Sequence, residues 1–153
     1  MIVPAEGDFR LDDEAATSRL GSALARSIQA GDAICLRGPL GAGKSTLARA
    51  LIRSLTHPLE EVPSPTFTLV QTYDGPEFPI SHFDLYRLKR PEEALELGLD
   101  EALEGGAALI EWPERLGAHL PHSRLDVEIQ IDGAARRARL TPHGDFEGRP
   151  LEL

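Results

Sequence analysis

Gly38-Pro39-Leu40-Gly41-Ala42-Gly43-Lys44-Ser45 decides the reading of this chain. It fits the pattern G-x-x-x-x-G-K-[ST], a loop that wraps backbone N–H groups around phosphate oxygens. Glycine permits the inward-turning dihedrals and leaves no side chain in the way. With each glycine at about 7% of average usage, the four constrained positions match by accident in roughly one chain of this length in two hundred. The surroundings reduce that chance further. Ala33-Ile34-Cys35-Leu36 before the loop is a short apolar run of the kind that forms a buried strand, and Leu47, Ala48, Leu51, Ile52 and Leu55 after it mark one face of a helix that stops before Pro58. A helix beginning near Lys44 aims the positive end of its dipole at the same anion. Lys44 adds a point charge on the β- and γ-phosphates, and the Ser45 hydroxyl suits Mg²⁺.

Upstream, Asp12 and Asp13 offer caps to a helix with Leu20, Leu24 and Ile28 on one face, ending near Gly31. Downstream the period changes. Phe67 to Tyr73 reads as a strand, Asp74-Gly75-Pro76 as a turn, and Phe78 to Leu85 as a second strand, antiparallel to the first. Pro91 with Glu92 and Glu93 starts a short helix that Gly98 closes. Ala107 to Ile110 is another apolar strand. Leu125, Val127, Ile129 and Ile131 alternate with polar residues, and Asp132-Gly133 turns that strand back towards a partner at Arg136 to Leu140. The expected fold is α/β, a P-loop NTPase-like three-layer sandwich whose mixed sheet includes antiparallel strands. The expected organisation is one domain over residues 1–153, with residues 142–153 as a loose tail.

A phosphate loop alone binds; hydrolysis also needs a second contact to the metal and a group that holds the attacking water. Strand-end carboxylates supply both. Glu111 follows Ala107-Ala108-Leu109-Ile110 in the manner of a Walker B element, and Asp84 lies near the end of the preceding strand. His82, alone in an apolar strand, reads as structural. No asparagine occurs anywhere, so the Asn-Lys-x-Asp reader of guanine is absent and ATP is the expected nucleotide.

Composition limits the function classes. The 153 residues are 41% hydrophobic and 27% charged, with a formal net charge of -9. Such an acidic chain repels a nucleic-acid backbone, and its one compact basic group, Arg136, Arg137 and Arg139, reads as a solvated strand face. The single cysteine, Cys35, rules out an internal disulfide and reads as a small buried hydrophobe. No run approaches the roughly 18 apolar residues of a membrane span, and the expected location is the cytoplasm.

Four segments together resemble one family. Leu40-Gly41-Ala42-Gly43-Lys44-Ser45-Thr46, Ser64-Pro65-Thr66-Phe67, His82-Phe83-Asp84-Leu85-Tyr86-Arg87 and Ile110-Glu111-Trp112-Pro113-Glu114 are similar in order and spacing to the bacterial TsaE (YjeE) proteins, the ATPases of tRNA threonylcarbamoyladenosine biosynthesis. The likeness covers about residues 12 to 140. It implies ATP hydrolysis with Mg²⁺ in support of a partner pair, TsaB and TsaD, which carries out threonylcarbamoyl transfer and holds the tRNA. By resemblance, Lys44 is the phosphate-binding and catalytic lysine, within a nucleotide loop of Gly41, Ala42, Gly43, Lys44, Ser45 and Thr46. Ser45, Asp84 and Glu111 serve the metal, Glu111 being the metal-linked acid; which of the two acids positions water stays open. Ser64-Pro65-Thr66 looks like a switch segment. Trp112 is either a switch or partner residue or simple core packing, and Thr17 and Arg136 fall where family members approach the adenine. Two other functions are open to these residues: phosphoryl transfer to a small-molecule hydroxyl with Asp84 as base, and ATP sensing without turnover.

Overall fold

The computed structural model describes residues 1–153. Seven strands form one twisted sheet: β2 (Gly7–Leu11), β3 (Ala33–Arg37), β4 (Val70–Asp74), β5 (Pro79–Asp84), β6 (Ala107–Glu111), β7 (Arg124–Asp132) and β8 (Ala135–His143). Their order across the sheet is β2-β8-β7-β3-β6-β5-β4. The central pairs β7–β3, β3–β6 and β6–β5 are parallel, whereas β5–β4, β7–β8 and β8–β2 are antiparallel. The mixed sheet therefore has the expected character.

Strand alternation sends successive side chains to opposite faces, and each face has its own core. Helices α1 (Glu14–Ser27) and α2 (Lys44–Leu55) cover one face, where Leu20, Leu24, Leu47 and Leu51 meet Ile34, Leu36, Leu109 and Val127. The two helices approach closely at Gly21, where a Cβ would lie 2.6 Å from the Leu47 carbonyl oxygen. Helices α3 (Glu92–Glu96) and α4 (Leu99–Gly105) cover part of the other face, bringing Ala94 and Leu99 to Ala33, Cys35, Phe83 and Ile110. Three layers result. No helix is long and apolar enough to cross a membrane.

Sequence boundaries hold where local chemistry sets them. Asp13 caps α1 by accepting from the Ala16 N–H at 2.8 Å, while Asp12 instead pairs with Arg10 at 2.6 Å. At the β7–β8 hairpin Asp132 faces Ala135, with Gly133 at φ 62° in the turn.

Three expectations need correction. Residues 142–153 are not a loose tail: β8 runs to His143, Phe146 and Leu151 are fully buried, and β9 (Pro150–Glu152) pairs with β1 (Ile2–Pro4) in a second, two-stranded sheet. Arg149 anchors this end by pairing with buried Asp32 and donating to the Ser27 carbonyl at 3.2 Å. The strand expected from Phe67 begins only at Val70, because the Leu69 N–H turns back to the Pro65 carbonyl at 2.7 Å. Gly98 closes α3 as expected, and at φ 90° it also starts the chain into α4. The arginine trio is not one patch either. Arg136 lies among the residues of the α1 side, whereas Arg137 and Arg139 are exposed and paired with Asp132 and Asp8.

Candidate active site

The site is built where β3, β5 and β6 end at the same edge of the sheet. Beyond β3 the chain turns at Gly38, with φ 142° and so little room that a Cβ would sit 2.4 Å from the Ile129 carbonyl oxygen of β7. The loop closes on itself through the Ala42 N–H, which donates to the Pro39 carbonyl at 3.2 Å. Gly43, at φ 106°, is the N-cap of α2 and has no side chain to occupy the helix end. The first N–H groups of α2 thus open towards the loop, the arrangement that accepts an anion.

Parallel register brings the two acids together. Asp84 and Glu111 stand opposite each other at the ends of β5 and β6, and the Leu85 N–H donates to the Glu111 carbonyl at 3.1 Å. Both side chains face the loop side of the sheet and are largely buried, as is Lys44. Burying three charged groups in one place without direct pairing among them is expensive, and folding alone does not call for it.

Each acid is held from behind. The Asp84 carboxylate accepts from the Thr66 hydroxyl at 3.3 Å and from the Tyr86 N–H at 3.1 Å. The Ser64 and Thr66 hydroxyls share a hydrogen bond of 2.8 Å. The Asp84 N–H donates to the Leu69 carbonyl at 2.9 Å, and Leu69 adopts a left-handed φ of 69°. The segment from Ser64 to Leu69 therefore grips Asp84 at its side chain through Thr66 and at its backbone through Leu69. Glu111 is held by His82, whose Nε2 lies 2.7 Å from Glu111 Oε2 in a buried contact.

Trp112 supplies the third element. It occupies the left-handed region at φ 60° and ψ 50°, a conformation that costs a bulky residue about 1–2 kcal/mol. Its ring lies under the Lys44 ammonium, 4.6 Å from the ring centroid, and against Tyr86, with centroids 5.0 Å apart. Half-exposed Trp112 is thus part of the site wall as well as packed against its neighbours.

Together Gly41, Gly43, Lys44, Ser45 and Thr46 of the loop and α2, with Ser64, Thr66, Asp84, Glu111 and Trp112, line a cleft of 660 Å³. Leu40 and Tyr86 complete the lining and were not singled out from the sequence. A second hollow of 200 Å³ lies on the other side of the loop. Thr17 and Arg136 line it with Gly41, Ala42, Gly43 and Thr46, and the Arg136 guanidinium donates to the Gly41 carbonyl at 3.3 Å. All the expected site residues except Pro65 therefore line the main cleft or share its loop from the neighbouring hollow; Ala42, buried in the loop, lines only that hollow, and Pro65 is buried.

His82 has a larger role in this geometry than its sequence context suggested. The available signal was the strand period, which sends His82, Asp84 and Tyr86 to one side. Cys35 is excluded from the chemistry: burial pushes its thiol up to about 12, and it faces the opposite core.

The donor set suits a hard cation. Ser45, Asp84 and Glu111 present oxygen to one cleft, and no cluster of three or more His, Cys, Asp or Glu forms an all-protein cage. Mg²⁺ needs none, because it keeps several waters and shares phosphate oxygens with one or two carboxylates.

Comparison with known proteins finds relatives over most of the chain. The family model described as "Threonylcarbamoyl adenosine biosynthesis protein TsaE" matches residues 11–139. The tRNA threonylcarbamoyladenosine biosynthesis protein TsaE of Rickettsia felis is 42% identical over 121 residues, 79% of this chain and 71% of that protein. The protein of the same name from Bacillus subtilis is 35% identical over 127 residues, 82% of this chain and 77% of its own length. Among solved structures, the crystal structure of Bacillus subtilis YdiB superposes with a TM-score of 0.75 at 28% identity, covering 95% of this chain and 89% of that one.

Proposed function

This chain belongs to the TsaE family of tRNA threonylcarbamoyladenosine biosynthesis, and from that premise we propose that it is the Mg²⁺-dependent ATPase of the pathway, acting on the TsaB–TsaD pair in the cytoplasm. One observation carries the reading: Lys44, Asp84 and Glu111, all largely buried, line one cleft with the phosphate loop.

The loop amides and Lys44 bind the β- and γ-phosphates. Thr46 adds a hydroxyl at the helix start, and Thr17 and Arg136 flank the loop where the nucleoside end emerges. Ser45, Asp84 and Glu111 would hold Mg²⁺. When bound, Mg²⁺ supplies charge neutralisation across the β- and γ-phosphates. A carboxylate oxygen of Asp84 or Glu111 that is not engaged by the metal orients the attacking water, and the hydrogen bonds behind Asp84 and Glu111 keep both aimed. Trp112 and Tyr86 wall off bulk water on one side.

The Ser64-Pro65-Thr66 turn is the element through which nucleotide state reaches a partner. It touches Asp84 directly, and next to it Phe67 is 80% exposed. The net charge of -9 leaves tRNA to the partners.

A pull-down with TsaB and TsaD, with and without ATP, tests the coupling. Wild type binds in a nucleotide-dependent way, and Lys44→Ala loses that dependence. Binding that ignores nucleotide in the wild type, or dependence that survives in the variant, contradicts it. Release of the γ-phosphate as free phosphate, not its transfer to a metabolite, separates hydrolysis from phosphotransfer.

A further inference from the structure

The His82 ring is 3% exposed, and its two nitrogens have opposite fortunes. Nε2 meets Glu111 Oε2 at 2.7 Å, while Nδ1 is buried with no hydrogen-bond partner. This asymmetry selects one protonation pattern. A proton on Nδ1 alone would strand a buried N–H and set the Nε2 lone pair against a carboxylate oxygen. An unmade hydrogen bond in the interior is costly. With the proton on Nε2 alone, the ring donates to Glu111 and only a lone pair goes unpaired.

We propose that His82 is a positioning residue for Glu111: its Nε2–H donates to the carboxylate and fixes the carboxylate's orientation in the cleft. The inference rests on the hydrolytic reading above and deepens it. The buried ring has one orientation, with β5 supplying the backbone and β6 the acid. Glu111 lines the cleft, and His82 is its carboxylate's one hydrogen-bond partner within the protein. A carboxylate pinned through one oxygen presents the other to the site without first losing rotamer freedom.

Two substitutions separate positioning from packing. His82→Phe keeps a ring of similar size and removes the donor. His82→Gln places an amide N–H near the position of Nε2. For phosphate release from ATP and Mg²⁺ in the presence of TsaB and TsaD, His82→Phe lowers kcat by about 10- to 100-fold, with ATP affinity within about twofold of wild type, while His82→Gln recovers most of the rate. Nitrogen-15 NMR of the nucleotide-free protein shows His82 with a proton on Nε2, and Glu111→Gln shifts the Nε2 signal. Full activity in His82→Phe, no recovery in His82→Gln, or an Nε2 without its proton overturns the proposal. Failure of the wild type to release phosphate overturns the hydrolytic reading, whereas an Nε2 without its proton overturns the positioning role alone.

Discussion

The two faces of β5 and β6 are made by the same residues in alternation, yet they hold opposite chemistry. Towards α3 and α4 stand Phe83, Ala108 and Ile110, an apolar surface that needs only packing. Towards α1 and α2 stand Ile80, Ala107 and Leu109, and then, at the strand ends, His82, Asp84 and Glu111, all buried. Apolar burial stabilises the fold at about 25 cal/mol per Å²; buried carboxylates do the reverse unless something compensates. The difference locates the function. One face holds the sheet together, and the loop end of the other carries the charges that the proposed chemistry uses.

Substitutions on the two faces should therefore fail differently. The largest effect is Lys44→Ala, which lowers phosphate release by on the order of a hundred-fold or more and leaves the thermal midpoint little changed. A large fall in stability with binding intact would break the comparison. Next is Phe83→Ala on the apolar face. It costs about 3–5 kcal/mol of stability, read by urea unfolding, and the fraction that stays folded keeps its affinity for ATP. Gly21→Val, on the α1–α2 contact, sharpens the contrast because it lies on the same side of the sheet as the cleft but away from it. Its Cβ meets the Leu47 carbonyl oxygen, and the strain costs about 1–3 kcal/mol.

Smaller effects come from titration. Burial raises the Cys35 thiol from 9.0 to about 12, so the folded state holds its proton where the unfolded chain releases it. Stability from this group is complete below pH 9.0 and declines as pH rises towards about 12. The native protein resists thiol alkylation at pH 8 and reacts once unfolded; fast native alkylation would contradict the burial. Smallest is Asp8, whose carboxyl the Arg139 guanidinium holds below its usual range. A depressed carboxylate contributes above its unfolded pKa and loses that contribution on acidification, but this pair is solvent-exposed and screened. Asp8→Asn leaves the thermal midpoint unchanged within error.

What could be read from the sequence was local. The phosphate loop, the helix after it and the Asp132-Gly133 hairpin are set by residues a few positions apart, so their chemistry is visible in the string. The acids were also legible, since each ends an apolar strand. The β1–β9 pairing was not, because Val3 meets Leu151 across almost the whole chain. His82 was passed over because a histidine's role depends on what faces each nitrogen, and Glu111 reaches it from a different strand. Trp112 read equally well as a switch or partner residue and as core packing, and its place beneath Lys44 follows from a left-handed backbone that no residue type announces.

The central claim is that the buried acids serve hydrolysis. The direct measurement is phosphate release from ATP with Mg²⁺, TsaB and TsaD, comparing wild type with Glu111→Gln, alongside calorimetric titration of each with ATP. The account predicts that Glu111→Gln binds ATP and releases phosphate at least about a hundred-fold more slowly. Equal rates in the two proteins would contradict it.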